Sequence, residues 1–258
     1  MALPDAVFPV KLSLPASSAL PMRTDREGQV VANTMLLAMQ EEEFRSLRPF
    51  LERLTFTRYQ LLYEQSGKIE YAYFPNEGMV SLVLIASDGR SVEVGVCGRD
   101  GMAGLPLAFG FDDAPTRAIV QVPGNGFRIP SALLTETLDH CPTLRRLIER
   151  YVFSQQLQVA QTAVCNRLHD MAQRLARWLL ICQDTVDSGL LPLTHEFLAE
   201  MLGSGRPTVT IAAGVLERAG LIESTRGSVK IVNRKRLEDA ACECYGAIQT
   251  YRSNLAFV

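Results

Sequence analysis

The stretch that most constrains this chain runs from Leu193 to Gly220. It reads Leu193-Thr-His-Glu-Phe-Leu-Ala-Glu-Met-Leu-Gly203, then Ser204-Gly205, then Arg206-Pro-Thr-Val-Thr-Ile-Ala-Ala-Gly-Val-Leu-Glu-Arg-Ala-Gly220. Phe197, Leu198, Met201 and Leu202 recur at helical spacing behind Thr194, whose hydroxyl suits a helix N-cap. Gly203 permits the left-handed backbone that closes a helix. Arg206-Pro207 opens a second helix, since proline is tolerated in a first turn, where the N–H has no intrahelical partner. Val209, Ala213, Leu216 and either Ala219 or Leu221 form its inner face. Two short helices across a tight glycine-containing turn make a helix-turn-helix. Leu221 to Val232 then reads as a strand, a turn at Arg226-Gly227 and a second strand, which is a wing.

A helical hairpin that only packs would show the same apolar spacing. The wing and the local charge favour a nucleic-acid reader. Between Thr194 and Arg236 seven basic residues face four acidic ones, a net charge of +3 in a chain of −2 overall. The free end of the second helix carries Arg206, Pro207, Thr208 and Thr210, with Thr194 and Ser204 beside it and Arg226 and Lys230 on the wing. Such an end enters the major groove of DNA in docked helix-turn-helix proteins. Arginine suits guanine O6 and N7, while threonine suits a phosphate oxygen or a thymine methyl.

Upstream, the texture divides the chain. Residues 1–30, with Pro4, Pro9, Pro15 and Pro21, read as a flexible arm. Asn33 to Leu54 reads helical. From Thr55 to Pro130, short β-branched and aromatic runs alternate with turn signals: Tyr71 to Phe74, Val80 to Ile85, Val92 to Val96 and Ala118 to Val122, the last followed by a turn at Pro123-Gly-Asn-Gly126. That pattern predicts an antiparallel sandwich or barrel over 31–135. Pro142 to Arg167 reads as one long helix within 136–168, with Leu144, Ile148, Tyr151, Gln155, Gln158, Thr162 and Cys165 as a heptad seam, apolar in its N-terminal half and polar further on. A further helix runs from His169 to Asp184, and 169–258 forms the winged helix-turn-helix with a C-terminal helix.

Several classes are excluded. No apolar run reaches the ~18 residues of a membrane span, and the N-terminus lacks a secretory pattern, so the expected location is the cytoplasm. The sequence holds no Gly-x-Ser-x-Gly, no phosphate loop and no His-Glu-x-x-His, so no enzyme is expected; Asp112-Asp113 reads as a solvated turn. The six cysteines are scattered. Cys242-x-Cys244 on a helix would send its thiols to different faces, so neither a metal nor a cofactor is expected. A haem ligand among His140, His169 and His195 stays open, but His195 suits the first helix of the DNA-binding domain better, and His140 and His169 read as surface residues.

The order of β-rich domain, long helix and winged helix-turn-helix resembles the Crp/Fnr superfamily of bacterial regulators. Leu193-Thr194, Met201-Leu202-Gly203, Arg206-Pro-Thr-Val-Thr210 and Leu216-Glu-Arg-Ala-Gly-Leu-Ile222 carry the likeness, with Tyr73-Phe-Pro75, Gly78-Met-Val-Ser-Leu82 and Gly98-Arg-Asp-Gly-Met102 in the N-terminal half. The resemblance implies an α+β chain: an N-terminal antiparallel β jelly roll, a long dimerisation helix and a C-terminal winged helix-turn-helix. It implies a homodimer on a pseudo-palindromic operator in double-stranded DNA, with RNA polymerase as a further partner. Arg206 resembles the family's guanine-reading arginine and Thr208 a phosphate-contacting residue. Pro207 and Ile211 replace a base-contacting glutamate and an arginine.

The implied effector pocket comprises Gly101, Gly104, Leu105, Thr116, Arg117 and Ala118. Leu105 stands where cyclic-nucleotide binders carry a ribose-binding glutamate, and Thr116-Arg117 reverses their phosphate-binding order. The expectation is therefore a sensor that does not respond to cyclic AMP, its effector unknown. The alternative function is a ligand-sensing dimeric module acting through a protein partner.

Overall fold

The computed structural model describes residues 20–255, so most of the expected N-terminal arm lies outside the described residues. Residues 20–30 of that stretch are described and carry local structure. Arg23–Thr24 (β1) and Val30–Val31 (β2) pair as a small antiparallel hairpin. Arg23 is buried, donates to the carbonyls of Leu36 and Met39 at 2.7 Å each, and lies 4.6 Å from the Phe44 ring centre. Its planar fork satisfies carbonyls that a short helix end leaves without partners.

The helix expected over Asn33 to Leu54 is broken into Thr34–Leu37 (α1), Glu41–Leu47 (α2), a 3-10 turn and the strand Glu52–Phe56 (β3). Pro49 lies in that turn and has no N–H to continue α2. Leu36, Phe44, Leu47 and Leu51 are all buried, so their spacing marks a core rather than one helix.

The remaining strands of the N-terminal half are Leu61–Tyr63 (β4), Tyr71–Pro75 (β5), Met79–Ile85 (β6), Ser91–Cys97 (β7), Arg117–Val122 (β8) and Gly124–Pro130 (β9). They form two antiparallel sheets of order β3-β9-β5 and β4-β8-β6-β7. Phe56, Phe74, Val80, Ala118, Val120 and Phe127 pack in the core of this domain. The turn expected at Pro123-Gly-Asn-Gly126 begins β9, the central strand of its sheet. A Cβ at Gly126 would meet the Phe74 carbonyl oxygen at 2.4 Å. Glycine here marks a close backbone approach rather than a loop.

Ser131–His140 (α3) leads into the 27-residue helix Pro142–Leu168 (α4). The expected heptad seam does not face outward. Leu144, Ile148, Tyr151, Gln158 and Cys165 are buried against this chain's own elements. The half-buried Gln155 donates to the Val96 carbonyl at 2.9 Å, and Thr162 accepts from Arg177 at 3.2 Å. The sheet and the C-terminal helices cover that stripe first.

Met171–Val186 (α5) opens with a capping box from Asp170 and Gln173, which satisfies two first-turn donors reciprocally. Then come Leu190–Leu191 (β10), His195–Met201 (α6), Arg206–Arg218 (α7), Ile222–Thr225 (β11), Ser228–Ile231 (β12), Arg234–Ala240 (α8) and Cys244–Leu255 (α9). A second core joins Met79, Val83 and Val96 of the β-domain to Trp178, Leu179, Leu198 and Leu216, so apolar packing runs without interruption across residue 169.

Cys242 precedes α9 rather than riding on it, and Cys242 and Cys244 are both buried. This overturns the expectation that helical phase sends the two thiols apart.

Candidate nucleic-acid interface

Thr194 accepts the Phe197 N–H at 3.2 Å and so caps α6. Phe197, Leu198, Ala199 and Met201 turn inward, and Gly203, at φ +57°, reverses the chain. Gly205 then stands at the N-cap of α7, with no side chain satisfying the first N–H groups. Val209, Ala212, Ala213 and Leu216 anchor α7 on the core. The same helical phase leaves Arg206, Pro207, Thr208, Thr210 and Ile211 exposed. An uncapped positive helix end with exposed hydroxyls and a guanidinium is a ready anion-facing surface.

The wing is a three-stranded sheet of order β10-β12-β11, one strand more than the sequence pattern suggests. Thr225 pairs with Ser228, so Arg226 and Gly227 form a two-residue tip. Arg226 and Lys230 are exposed. Lys230 stands opposite Glu223 in the register.

The expected DNA-facing residues thus fall on one helix end, its turn and the adjoining hairpin. Ser204 is half-buried and lines, with Gly203 and Gly205, a groove against Leu84 to Val92 of the β6–β7 hairpin. Ser91 donates to Glu200 at 3.0 Å across it. Arg206 donates to Glu196 at 3.4 Å, and both side chains are largely exposed. His195, expected in the first helix of the DNA-binding domain, has Nδ1 3.3 Å from the Thr210 hydroxyl and Nε2 3.5 Å from that of Ser224. It ties α6 to both α7 and the wing. Its place right after the N-cap was the available signal.

The expected effector pocket holds together only in part. A cavity of about 570 Å³ is lined by Gly104, Leu105 and Thr116, with Leu82, Val94, Met102, Phe109 and Val152 among its apolar walls and Asp113 at its rim. Gly101, Arg117 and Ala118 are not among its lining residues. Gly101 packs beneath Tyr151, whose ring a Cβ would meet at 2.0 Å. Ala118 is buried within β8. Arg117 grips Glu64 through two bonds of 2.9 and 2.8 Å, which hold the Glu64 carboxyl below its ordinary value. Its guanidinium is committed to a carboxylate rather than free for a phosphate.

No helix among the described residues is long and apolar enough to cross a membrane. Residues 173–240, spanning α5 to α8, match the Crp-like helix-turn-helix domain. The chain resembles the Crp/Fnr regulators in this domain and in its fold. It is 28% identical over 188 residues to the global nitrogen regulator of Synechocystis sp., covering 69% of this chain and 84% of that relative. It is 28% identical over 181 residues to the transcriptional regulator SdrP of Thermus thermophilus, covering 68% and 86%. Its fold matches that of FixK2 from Bradyrhizobium japonicum with a TM-score of 0.64 at 17% identity, over 74% of this chain and 98% of that one. The chain is a DNA-binding transcriptional regulator rather than an enzyme, and its α+β fold joins a β-roll to a C-terminal helix-turn-helix.

Proposed function

We propose that this regulator reads a pseudo-palindromic operator as a homodimer, with Arg206 contacting a base edge and Thr194, Ser204, Thr208, Thr210, Arg226 and Lys230 contacting phosphates. The observation that carries the reading is the exposed, uncapped N-terminus of α7, flanked by a cationic wing tip. Pro207 and Ile211 present no hydrogen-bond donors to a groove, so base reading rests on few side chains.

The pairing surface is α4, on the face opposite the expected seam. Phe153, Leu157, Ala160 and Val164 recur at steps of four, three and four, with Leu168 one turn further on, and form one stripe. Phe153, Val164 and Leu168 are exposed at 53%, 43% and 70%. An apolar stripe of that period suits a two-helix seam.

The sensor cavity suits an uncharged, apolar small molecule. Leu105 offers no acceptor to a ribose hydroxyl, Arg117 is held by Glu64, and Asp113 would oppose a phosphate. Buried sugar hydroxyls without partners cost about 1–3 kcal/mol each.

The experiment is selection of bound duplexes from a random pool with the full-length protein, followed by fluorescence anisotropy at two salt concentrations, with and without cyclic AMP. The expected site has half-sites about one helical turn, roughly 34 Å, apart. Affinity falls steeply with salt and is unchanged by cyclic AMP. Recovery of no enriched sequence would remove the proposal.

A further inference from the structure

Four side chains with no part in the DNA-facing surface converge at the junction of α4, α5 and α9. Cys165 lies in the last turn of α4 and His169 caps that helix, while Cys242 precedes α9 and Cys244 opens it. Three Sγ atoms and an imidazole nitrogen all lie within 4.8 Å of one another. Cys165 Sγ is 3.4 Å from Cys242 Sγ, and Cys244 Sγ is 3.5 Å from His169 Nδ1. The three cysteines form a buried cluster of their own, and the His169 side chain is 12% exposed. A tetrahedral zinc ion, with sulfur at ~2.3 Å and nitrogen at ~2.0–2.1 Å, holds its ligand atoms roughly 3.5–3.8 Å apart. A multi-iron cluster places several irons and sulfides between its thiolates and needs a wider set. A disulfide needs two thiols at ~2.05 Å and gives a histidine no role.

We infer that Cys165, His169, Cys242 and Cys244 form a closed Cys3His site for one thiophilic divalent ion of the zinc class. The surroundings supply the outer contacts such a site uses. Glu243 Oε1 lies 3.1 Å from His169 Nε2, which turns Nδ1 toward the thiols. A carboxylate on the far ring nitrogen orients metal-bound histidines and raises their basicity. Gln161 donates to Cys244 Sγ at 3.1 Å. On binding, the three thiols each release a proton; with a dipositive ion and neutral imidazole the site carries one negative charge. Arg174 and Arg177 on α5 supply the opposing charge, since both act electrostatically on Cys165. Four protein ligands leave no open position, so the ion is structural. It staples α9 to the end of α4 and grips the break at His169 before α5, and so sets where the helix-turn-helix stands relative to the long helix.

The test uses full-length protein prepared reduced and metal-depleted, titrated with Co(II) and then Zn(II). The expected result is one equivalent of Co(II) per chain, with thiolate-to-cobalt charge-transfer absorption and the intense visible bands of a tetrahedral site, bleached by Zn(II). Cys165→Ser and Cys244→Ser lose those bands, while Cys141→Ser keeps them. Glu243→Gln, altering a side chain 77% exposed, retains the fold by circular dichroism and weakens Co(II) binding roughly 10–100-fold. Without any variant, Zn(II) slows alkylation of Cys165, Cys242 and Cys244 and leaves Cys141 unchanged. Absence of a cobalt–thiolate band in the wild-type protein, equal affinity in Cys165→Ser, or a Cys165–Cys242 disulfide with no protection by Zn(II) would overturn the inference. These readouts do not involve DNA, so failure here and failure of the operator reading are separate results.

Discussion

Trp178 on α5 donates its indole N–H to Glu93 on β7 at 2.8 Å, joining the DNA-binding half of the chain to the β-domain through a buried carboxyl. The other Glu93 oxygen lies 2.6 Å from the Ser81 hydroxyl, which also meets the Gln121 carbonyl oxygen. A hydroxyl has one hydrogen. Either a neutral Glu93 that donates to Ser81, or a Gln121 amide turned so that its unpartnered Nε2 donates to Ser81, resolves the conflict. Burial pushes Glu93 up to about 7, against the bonds from Ser81 and Trp178 and the charge of Arg177.

The stability of the protein therefore depends on this proton. Glu93 binds it more tightly in the folded chain than in the unfolded one, so its contribution is fully present below the ordinary carboxylate value of 4.5 and is lost as pH rises toward about 7. In that window stability falls by up to ~1.4 kcal/mol per pH unit. Glu93→Gln, which keeps a donor toward Ser81, flattens this slope. Urea denaturation at several pH values across the window measures it; parallel slopes in both proteins would refute the assignment.

Arg206→Ala weakens binding to the selected operator by about 1–3 kcal/mol and relaxes preference at one base pair of each half-site. Binding to unrelated duplex changes far less. Competition anisotropy with operator and non-operator DNA separates the two, and an equal loss on both would make Arg206 a phosphate contact instead.

Arg226→Ala acts differently. On the proposed contact of the wing tip with the DNA backbone, affinity falls alike on all sequences, and the slope of log affinity against log salt drops by about 0.9 for each lost phosphate contact. An unchanged slope would take Arg226 off the DNA.

Val164→Glu places a charge in the exposed stripe of α4 and converts the proposed dimer to a monomer in sedimentation analysis while the chain stays folded. Ile148→Ala, on the opposite face, instead leaves a core cavity, costs about 2–5 kcal/mol of stability and keeps the dimer. The reverse pattern would return the seam to the Leu144–Cys165 face.

Val94→Phe narrows the cavity beside Leu105. A neutral apolar fluorophore such as N-phenyl-1-naphthylamine brightens in the wild-type protein and binds at least tenfold more weakly in the variant. Equal binding in both would place the apolar site elsewhere.

Local rules carried much of this protein. Thr194, Gly203 and Pro207 each solve a local backbone problem of cap, reversal or first turn, so the helix-turn-helix is legible from residue type and spacing alone. The strands at Val80 to Ile85 and Val92 to Val96 are legible for the same reason: a β-branched run between turn residues has few alternatives. Apolar spacing also marks which residues are buried, as Leu36, Phe44 and Leu47 demonstrate.

What spacing cannot convey is which partner does the burying. The stripe through Leu144, Ile148 and Tyr151 has the period of a seam between copies, yet this chain's own β-domain reaches it first. Gly124 and Gly126 carry turn chemistry, yet they lie in a central strand because the neighbouring backbone leaves no room for a Cβ. Cys165 and Cys242 are 77 residues apart along the chain and 3.4 Å apart at sulfur. Caps, turns and periodicity act over a few residues and are written in the chain itself; the meeting of distant side chains depends on how the packed elements finally lie, which only the tertiary structure decides.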